Sequence, residues 1–245
     1  MTSVQQYANT WLKRYPTWGS AEQALLTLTA KEKIKTLPQY SAGERDIVIV
    51  SKNSVNASID DMLTHRWLGF DTEARPNFRA EDNFATCLIQ IATPNTCYLL
   101  HLNELQSFSA LAPVLEAKHI VKIGIGLRGD SKNLRANHAV DLVNSLDLVA
   151  VFKRLGRKKG AGAQHLVATL FNQYLRKSKR VSLSNWSKTP LTGQQISYAA
   201  QDAMVPLDCF VFLDKISRNY TPHCPAWLTQ MLQATRPSDI LESPR

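Results

Sequence analysis

The sequence is poor in the features that assign many chains to a class directly. Its 245 residues include four cysteines, Cys87, Cys97, Cys209 and Cys224, none in C-x-x-C spacing, which argues against a zinc site or a disulfide framework. We therefore expect reduced thiols and an intracellular protein of the nucleus or cytoplasm. The first 21 residues lack Asp and Glu, which leaves organelle targeting open. No apolar run approaches the roughly 20 residues that span a membrane, so we expect no membrane partner.

Acidic residues are also scarce relative to basic ones. Lys+Arg number 29 against 20 Asp+Glu, which gives a formal net charge of +9 and a pI near 9.5. An excess of this size favours a polyanionic partner, with nucleic acid first and an anionic membrane surface second. On charge alone, a soluble basic protein without such a partner remains the alternative.

The pattern of the chain changes at Asp46. Residues 1–45 predict an N-terminal helical extension, with Ser20 as a helix N-cap and Pro38 as a stop. Residues 46–216 form the main domain, and residues 217–245 predict a loose C-terminal tail. Within the domain we predict strands at 46–52, 66–73, 84–93, 97–102 and 119–127, and helices at 57–65, 104–118, 128–138, 163–175 and 191–217. Early strands and late helices indicate an α/β fold with a mixed central sheet flanked by helices.

Three places carry carboxylates that suit chemistry. Asp71 and Glu73 end a predicted strand and share one of its faces, so their repulsion needs a metal ion, a basic partner or exposure to water. Asp130 opens a predicted helix, where the helix dipole alone could account for it. Tyr198 and Asp202 lie four residues apart on one helix face, a spacing that a packed tyrosine and a surface acid would also show.

Taken together, these places resemble the three motifs of the DEDD family of 3′–5′ exonucleases, in the subgroup with a tyrosine in its third motif. The matching segments are "GFDTEARP", "VKIGIGLRGD" and "SNWSKTPLTGQQISYAAQDA". The resemblance covers about residues 46–216 and is nearest to the Werner-syndrome-type exonuclease domain, with ribonuclease D as a near relative. It implies a ribonuclease-H-like fold and the release of nucleoside monophosphates from nucleic-acid 3′ ends.

The resemblance also implies a metal site with two Mg²⁺ or Mn²⁺ ions. Asp71 would bridge both ions, Glu73 and Asp202 would complete the ion that holds the attacking water, and Asp130 would serve the other ion through water. Tyr198 would orient the water. Two such ions can activate the water, relieve the phosphate charge and assist the leaving oxygen.

The chain departs from the family pattern at two positions. Pro206 lies four residues after Asp202 and removes the helical partner of the Asp202 carbonyl, so we expect a kink that either re-aims the later helix or displaces Asp202. Ala74 follows Glu73 where many relatives have a tryptophan, which leaves the contacts to the terminal base open. Gln90 also matches a family position and is expected to serve the fold.

Two basic runs flank the helix predicted at 163–175 and suggest phosphate contacts, although a solvated surface would show the same pattern. Trp186 could stack on a base, but core packing is the usual role of tryptophan. The better candidates for nucleic-acid contacts are those of the first run, Lys153, Arg154, Arg157, Lys158 and Lys159. The second set is Arg176, Lys177, Lys179 and Arg180, and Trp186 completes the candidates.

The predicted function is a 3′–5′ exonuclease with DNA favoured over RNA. About 30 residues follow the matched region, too few for the helical domains that ribonuclease D usually carries, and any helicase would be a separate chain. The alternatives are an exoribonuclease that processes RNA 3′ ends and a catalytically weak nucleic-acid-binding module of the same fold.

Overall fold

The structure, a computed structural model, describes residues 2–41, 43–76, 84–105, 108–159 and 162–235. Within these ranges the strands are β1 (Asp46–Ile49), β2 (Trp67–Ala74), β3 (Thr86–Ala92), β4 (Thr96–His101), β5 (Val121–Gly124) and β6 (Ser145–Asp147). The helices are α1 (Thr2–Arg14), α2 (Trp18–Leu26), α3 (Lys31–Ile34), α4 (Val55–Leu63), α5 (Leu102–Leu105), α6 (Ala112–Leu115), α7 (Arg128–His138), α8 (Leu148–Arg154), α9 (Ala163–Phe171), α10 (Lys179–Ser182), α11 (Gly193–Asn219) and α12 (Ala226–Thr235).

The strands form one mixed sheet in the order β1-β4-β3-β2-β5-β6. Strand β3 runs antiparallel to both β2 and β4, whereas the other neighbouring pairs are parallel. This confirms the predicted α/β class with a mixed central sheet. Strand β2 lies inside the sheet, where Trp67–Gly69 pair with β5 and Gly69–Ala74 pair with β3. These two ladders fix its register.

Apolar layers cover both faces of the sheet. On one face α11 packs together with α1, α2 and α9 in a continuous cluster of buried residues. On the other face α4, α6 and α7 bury a second cluster, to which Leu68 and Phe70 of β2 contribute. Gly69, between those two residues, points the opposite way, and a side chain added there would collide with the backbone carbonyl of Ala203 on α11. The strand and the helix therefore meet without a side chain between them.

Helix α11 is the longest described element, with 27 residues. Thr192 caps its N-terminus, and Gln195 completes a capping box. The helix continues without interruption through Pro206. Its length and hydropathy would suffice to cross a membrane, but 72% of its most apolar window is buried inside the protein. It is therefore read as a core helix.

Both ends of the chain pack more closely than predicted. Ala8, Trp11 and Leu25 belong to the same buried cluster as α11, so helices α1 and α2 share its core. Leu228 and Leu232 of α12 are also buried in that cluster. The prediction of a loose tail is therefore wrong for residues 217–235, and residues 236–245 lie outside the described ranges.

Three smaller predictions also need correction. Thr17, rather than Ser20, caps α2, and Ser20 supplies the reciprocal bond of the capping box. Strand β6 has three residues and was not predicted. The single helix predicted at 104–118 is divided among α5, a 3-10 turn at Phe108–Leu111 and α6, with 106–107 outside the described residues.

Candidate active site

Strand β2 presents two carboxylates towards α11. Its side chains alternate between the faces of the sheet, so Asp71 and Glu73 share the face on which Gly69 meets Ala203. Both acids are half-buried, which leaves them reachable from solvent. The β2–β3 ladder shifts register between Glu73 and Ala74, so regular pairing is interrupted directly after the second acid.

Helix α11 brings the second pair of residues to the same place. Tyr198 and Asp202 are one helical turn apart, and the small residues beside them, Ala199 and Ala200, are almost fully buried. These alanines let the helix approach the sheet closely. Asp202 and Asp71, which are separated by 130 positions in the sequence, line one cleft of 360 Å³.

Asp130 reaches this cluster from the other side of β2. Thr72 lies between the two β2 acids and points to the opposite face, where its hydroxyl donates a hydrogen bond to the Asp130 carboxylate. Asp130 sits in the first turn of α7 and is close enough to raise the pKa of Asp71 and Glu73. The role of Thr72 was not predicted, although its position between two acids was a usable signal.

Lys177 adds a positive charge at the centre of the cluster. Its ammonium forms an ion pair with the Asp202 carboxylate and lies 4.7 Å from the centroid of the Tyr198 ring. It was predicted as a contact to nucleic acid. The structure places it among the acids, where it lines the same cleft as Asp71 and Asp202.

The crowding of these groups changes their protonation. Burial, together with the carboxylates of Asp202, Asp130 and Glu73, raises the pKa of Asp71 well above its usual range. Burial and the Asp202 carboxylate raise the pKa of Glu73 to about 8. Burial also raises the pKa of Asp202, against the opposing effect of the Lys177 ammonium.

A divalent cation would relieve this repulsion. The four acids offer only carboxylate oxygens, the donors that hard cations such as Mg²⁺ and Mn²⁺ prefer. Two of them are engaged by protein groups, Asp202 by Lys177 and Asp130 by Thr72. In the described part of the chain, no three His, Cys, Asp or Glu side chains are arranged to hold a metal ion as they stand. The donor chemistry of the four acids fits the predicted ions.

Comparison with known proteins decides the family. A family model described as 3′–5′ exonuclease matches residues 47–217. The chain belongs to this 3′–5′ exonuclease family. The motif resemblance to DEDD exonucleases is thereby confirmed.

Similar proteins agree with this assignment. An Arabidopsis thaliana 3′–5′ exonuclease is 34% identical over 141 residues, which cover 56% of this chain and 49% of the relative. The bifunctional 3′–5′ exonuclease/ATP-dependent helicase WRN of Mus musculus is 33% identical over 172 residues, 69% of this chain and 12% of the relative. The chain thus spans half or less of these relatives. The fold resembles that of Escherichia coli RNase D, with a TM-score of 0.62 at 17% identity, covering 79% of this chain and 51% of RNase D.

The predicted nucleic-acid contacts of this exonuclease-family chain divide into two groups. Arg157 is 2% exposed, and its guanidinium donates hydrogen bonds to the Leu25 carbonyl and to Thr169. Trp186 is fully buried and donates its indole N–H to the Ser182 carbonyl. Both predictions of nucleic-acid contact are therefore wrong in this structure, and core packing is confirmed for Trp186. The exposed candidates are Lys153, Arg154, Lys158, Lys159, Arg176, Lys179 and Arg180.

Gln90 is a further polar residue beside the site, and the family resemblance had implied a structural role for it. It pairs directly across the sheet from Asp71 and is fully buried. Its amide nitrogen and oxygen find no hydrogen-bond partner in the part of the chain that the structure describes. A buried amide of this kind usually has a partner, so the interior beside Asp71 is more polar than an ordinary core.

Proposed function

We propose that this chain removes nucleoside monophosphates one at a time from the 3′ ends of DNA, using two Mg²⁺ or Mn²⁺ ions held by Asp71, Glu73, Asp130 and Asp202. The observation that carries the proposal is the convergence of these acids, from β2, α7 and α11, beside the Tyr198 ring. When bound, such ions activate a water molecule and neutralise charge on the phosphate. The presence of all five motif residues in one cluster supports an active enzyme over a module that only binds.

The residues of the chain then have separate tasks. Burial and the Asp202 carboxylate raise the pKa of Tyr198 above its usual range, so the phenol stays protonated at neutral pH. It serves to orient the attacking water by hydrogen bonding, while the acids accept the proton. Lys177 brings a positive charge into the cleft, which favours entry of an anionic phosphate.

The test is metal-dependent shortening of a 5′-labelled DNA strand. We expect the wild-type chain to produce a ladder with Mg²⁺ or Mn²⁺ and none in EDTA. Asp71→Ala should lower the rate by about 10³-fold or more, because loss of a metal-binding carboxylate removes several kcal/mol of transition-state stabilisation. Asp60→Ala is the matched control, since Asp60 is an exposed acid of α4. Equal rates in wild type and Asp71→Ala would refute the proposal.

RNA is the second candidate substrate. Its support is the fold shared with E. coli RNase D, described as an exoribonuclease involved in structured RNA processing. Parallel digestion of DNA and RNA strands of one sequence, single-stranded and recessed, decides between the two sugars. Preference for RNA at every salt concentration would replace the DNA proposal. The name of the mouse relative supports a helicase as a partner, which faster digestion of blunt duplexes in its presence would show.

A further inference from the structure

A polar groove begins at Tyr198 and leads away from the acids. It has a volume of 550 Å³ and runs between the segment around α10 and the N-terminal half of α11. Lys177 lines the cleft of Asp71 and Asp202 and lies over the Tyr198 ring, which lines the groove, so the cleft and the groove adjoin at these two side chains. The residues that matter here are Arg176, Arg180, Gln194, Ser197, Tyr198 and Gln201.

The charge of the groove has one sign. Arg176 and Arg180 are exposed, and none of the described residues that line the groove is Asp or Glu. Gly193, the first residue of the 27-residue helix α11, also lines it, so the positive end of the helix dipole adds to the two guanidinium charges. This field attracts a polyanion.

The floor of the groove is a row of hydrogen-bonding side chains. Gln194, Ser197 and Gln201 follow each other at intervals of three and four residues, which places them on one face of α11. The Arg180 guanidinium donates a hydrogen bond to the Gln194 side chain across the groove, so the two walls are already joined by polar contacts. Amide and hydroxyl groups of this kind bind phosphate and sugar oxygens.

The same lining disfavours recognition of bases. Tyr198 is the one aromatic residue among the described lining residues, so the groove lacks the stacking platform on which proteins hold unpaired bases. A chain bound here is held through its backbone and without sequence preference.

We propose that this groove binds the backbone of the single strand whose 3′ end enters the acidic cleft, with phosphates on Arg176 and Arg180; this inference rests on the proposed function. From Thr192 to Tyr198 the helix rises about 9 Å, so the groove runs beside nearly two turns of α11. A second cleft shares Arg180 and Gln194 and adds Lys188, so the path continues outward in the 5′ direction of the strand.

The first basic run is a poorer path. Arg157 points into the core, and the Arg154 guanidinium stacks over the Trp227 ring with its carbon 4.4 Å from the ring centroid. Lys158 and Lys159 of that run remain exposed. Neither is among the described residues that line the groove or the acidic cleft.

The experiment measures binding without cleavage. A short 5′-labelled single strand is titrated in EDTA by fluorescence anisotropy, with the double variant Arg176→Gln/Arg180→Gln and the control Lys52→Gln/Lys118→Gln, which removes two exposed lysines elsewhere. We expect the groove variant to bind about tenfold or more weakly at low salt. Loss of two phosphate contacts should also lower the slope of log affinity against log salt by about 1.4. Between about 50 and 200 mM salt, wild type should then lose roughly sevenfold more affinity than the groove variant.

A second variant protects the test against misfolding. Ser197→Glu places a negative charge on the exposed floor of the groove and should weaken binding at unchanged melting temperature. The inference is overturned if both groove variants bind like the control, or if polyglutamate competes as well as an oligonucleotide of equal charge, which would make the groove a general polyanion site. Cleavage by wild type is scored separately. Cleavage without an effect of the groove variants refutes only the groove, whereas groove-dependent binding without cleavage refutes only the exonuclease proposal.

Discussion

The Lys177 ammonium balances the negative charge of the Asp202 carboxylate, which is almost completely buried. The Asp202 side chain is 3% exposed and that of Lys177 is 26% exposed. Removing one partner of such a pair leaves the other charge desolvated and unpaired, which costs about 3–5 kcal/mol in fully buried cases. The partial exposure of Lys177 reduces this cost.

We therefore expect Lys177→Met to lower the free energy of unfolding of the metal-free protein by about 2–3 kcal/mol. Mg²⁺ should restore part of the loss, because it supplies the charge that Asp202 then lacks. Urea unfolding with and without Mg²⁺ measures both effects. Lys179→Met, at an exposed position two residues away, is the control, and equal stability of the two variants would contradict the assigned role of Lys177.

The raised pKa of Glu73 predicts how stability depends on pH. The folded protein holds the Glu73 proton up to about pH 8, whereas the unfolded chain releases it near pH 4.5. The folded state binds more protons between these values, so its stability falls as pH rises through this window. In EDTA, Glu73→Gln should remove up to about 5 kcal/mol of this decline, the equivalent of a pKa shift from 4.5 to about 8.

Thermal unfolding in EDTA at a series of pH values measures this decline. Glu104→Gln, an exposed residue of α5, should leave the profile unchanged. A Glu73→Gln profile as steep as that of wild type would show that the Glu73 carboxyl is not held in its protonated form.

The environments of some site residues could be predicted from the sequence, and those of others could not. Asp71, Glu73 and Asp202 were predictable because strand and helix periodicities fix the faces of side chains. Lys177 and Arg157 were not, because a basic run looks the same whether its members face water or one of them turns inward. The tertiary fold decides that Lys177 pairs with the Asp202 carboxylate and that Arg157 bonds the Leu25 carbonyl.

Strand β2 and helix α11 depend on one close backbone contact. At Gly69 an added methyl group would collide with the Ala203 carbonyl and approach Leu207. Since a backbone carbonyl cannot yield as a flexible side chain can, the helix would have to move away from the sheet. That movement would separate Asp202 from Asp71.

Gly69→Ala should accordingly destabilise the protein by about 3 kcal/mol, within the range for overpacked cores, and should reduce exonuclease activity more than stability alone explains. Gly19→Ala is the matched control. Gly19 lies in α2 with no atom near its added carbon, so the variant should gain about 0.5–1 kcal/mol from helix propensity. Calorimetry and single-turnover digestion at a temperature where both variants are folded separate the two effects.

Long elements were more predictable than short ones. The sequence pattern predicted a helix at 191–217, close to the observed bounds of α11. By contrast, β6 has three residues, too few to show an alternating pattern, and it exists because it pairs with β5. Pro206 leaves the Asp202 carbonyl without its helical partner, yet α11 is not interrupted, because burial along that helix outweighs the loss of one hydrogen bond.

The molecule behaves as one packed unit across the described residues rather than as a domain with attachments. Arg45 and Tyr40, which precede β1, both bond the buried carboxylate of Asp208 on α11. Leu25 of α2 is fully buried in the same cluster as α11. The N-terminal helices therefore stabilise the helix that carries Tyr198 and Asp202.

Leu25→Ala should lower the free energy of unfolding by about 2–5 kcal/mol and should reduce the melting temperature of the whole protein in a single transition. Leu28→Ala is the control because Leu28 is 47% exposed, and it should change stability by less than about 0.5 kcal/mol. If residues 1–45 were an independent extension, loss of exonuclease activity on heating would be unaffected by Leu25→Ala.

The packing of the chain ends could not be foreseen. Residues 1–45 and 217–235 are amphipathic or polar in sequence, and amphipathicity states that a face will be covered without stating by which partner. The core of the central domain was predictable because its strands pair with one another in a single sheet.

The position of β2 between two paired neighbours makes the chemistry intolerant of changes in chain length. A one-residue deletion between Trp67 and Phe70 would turn every later side chain of the strand over, bringing Thr72 to the side of α11 and sending both acids to the side of α7. A two-residue deletion would preserve their orientation and only shorten the strand. Deletion of one residue should therefore abolish function, whereas deletion of two should be tolerated better, because side chains alternate between the two faces of a strand.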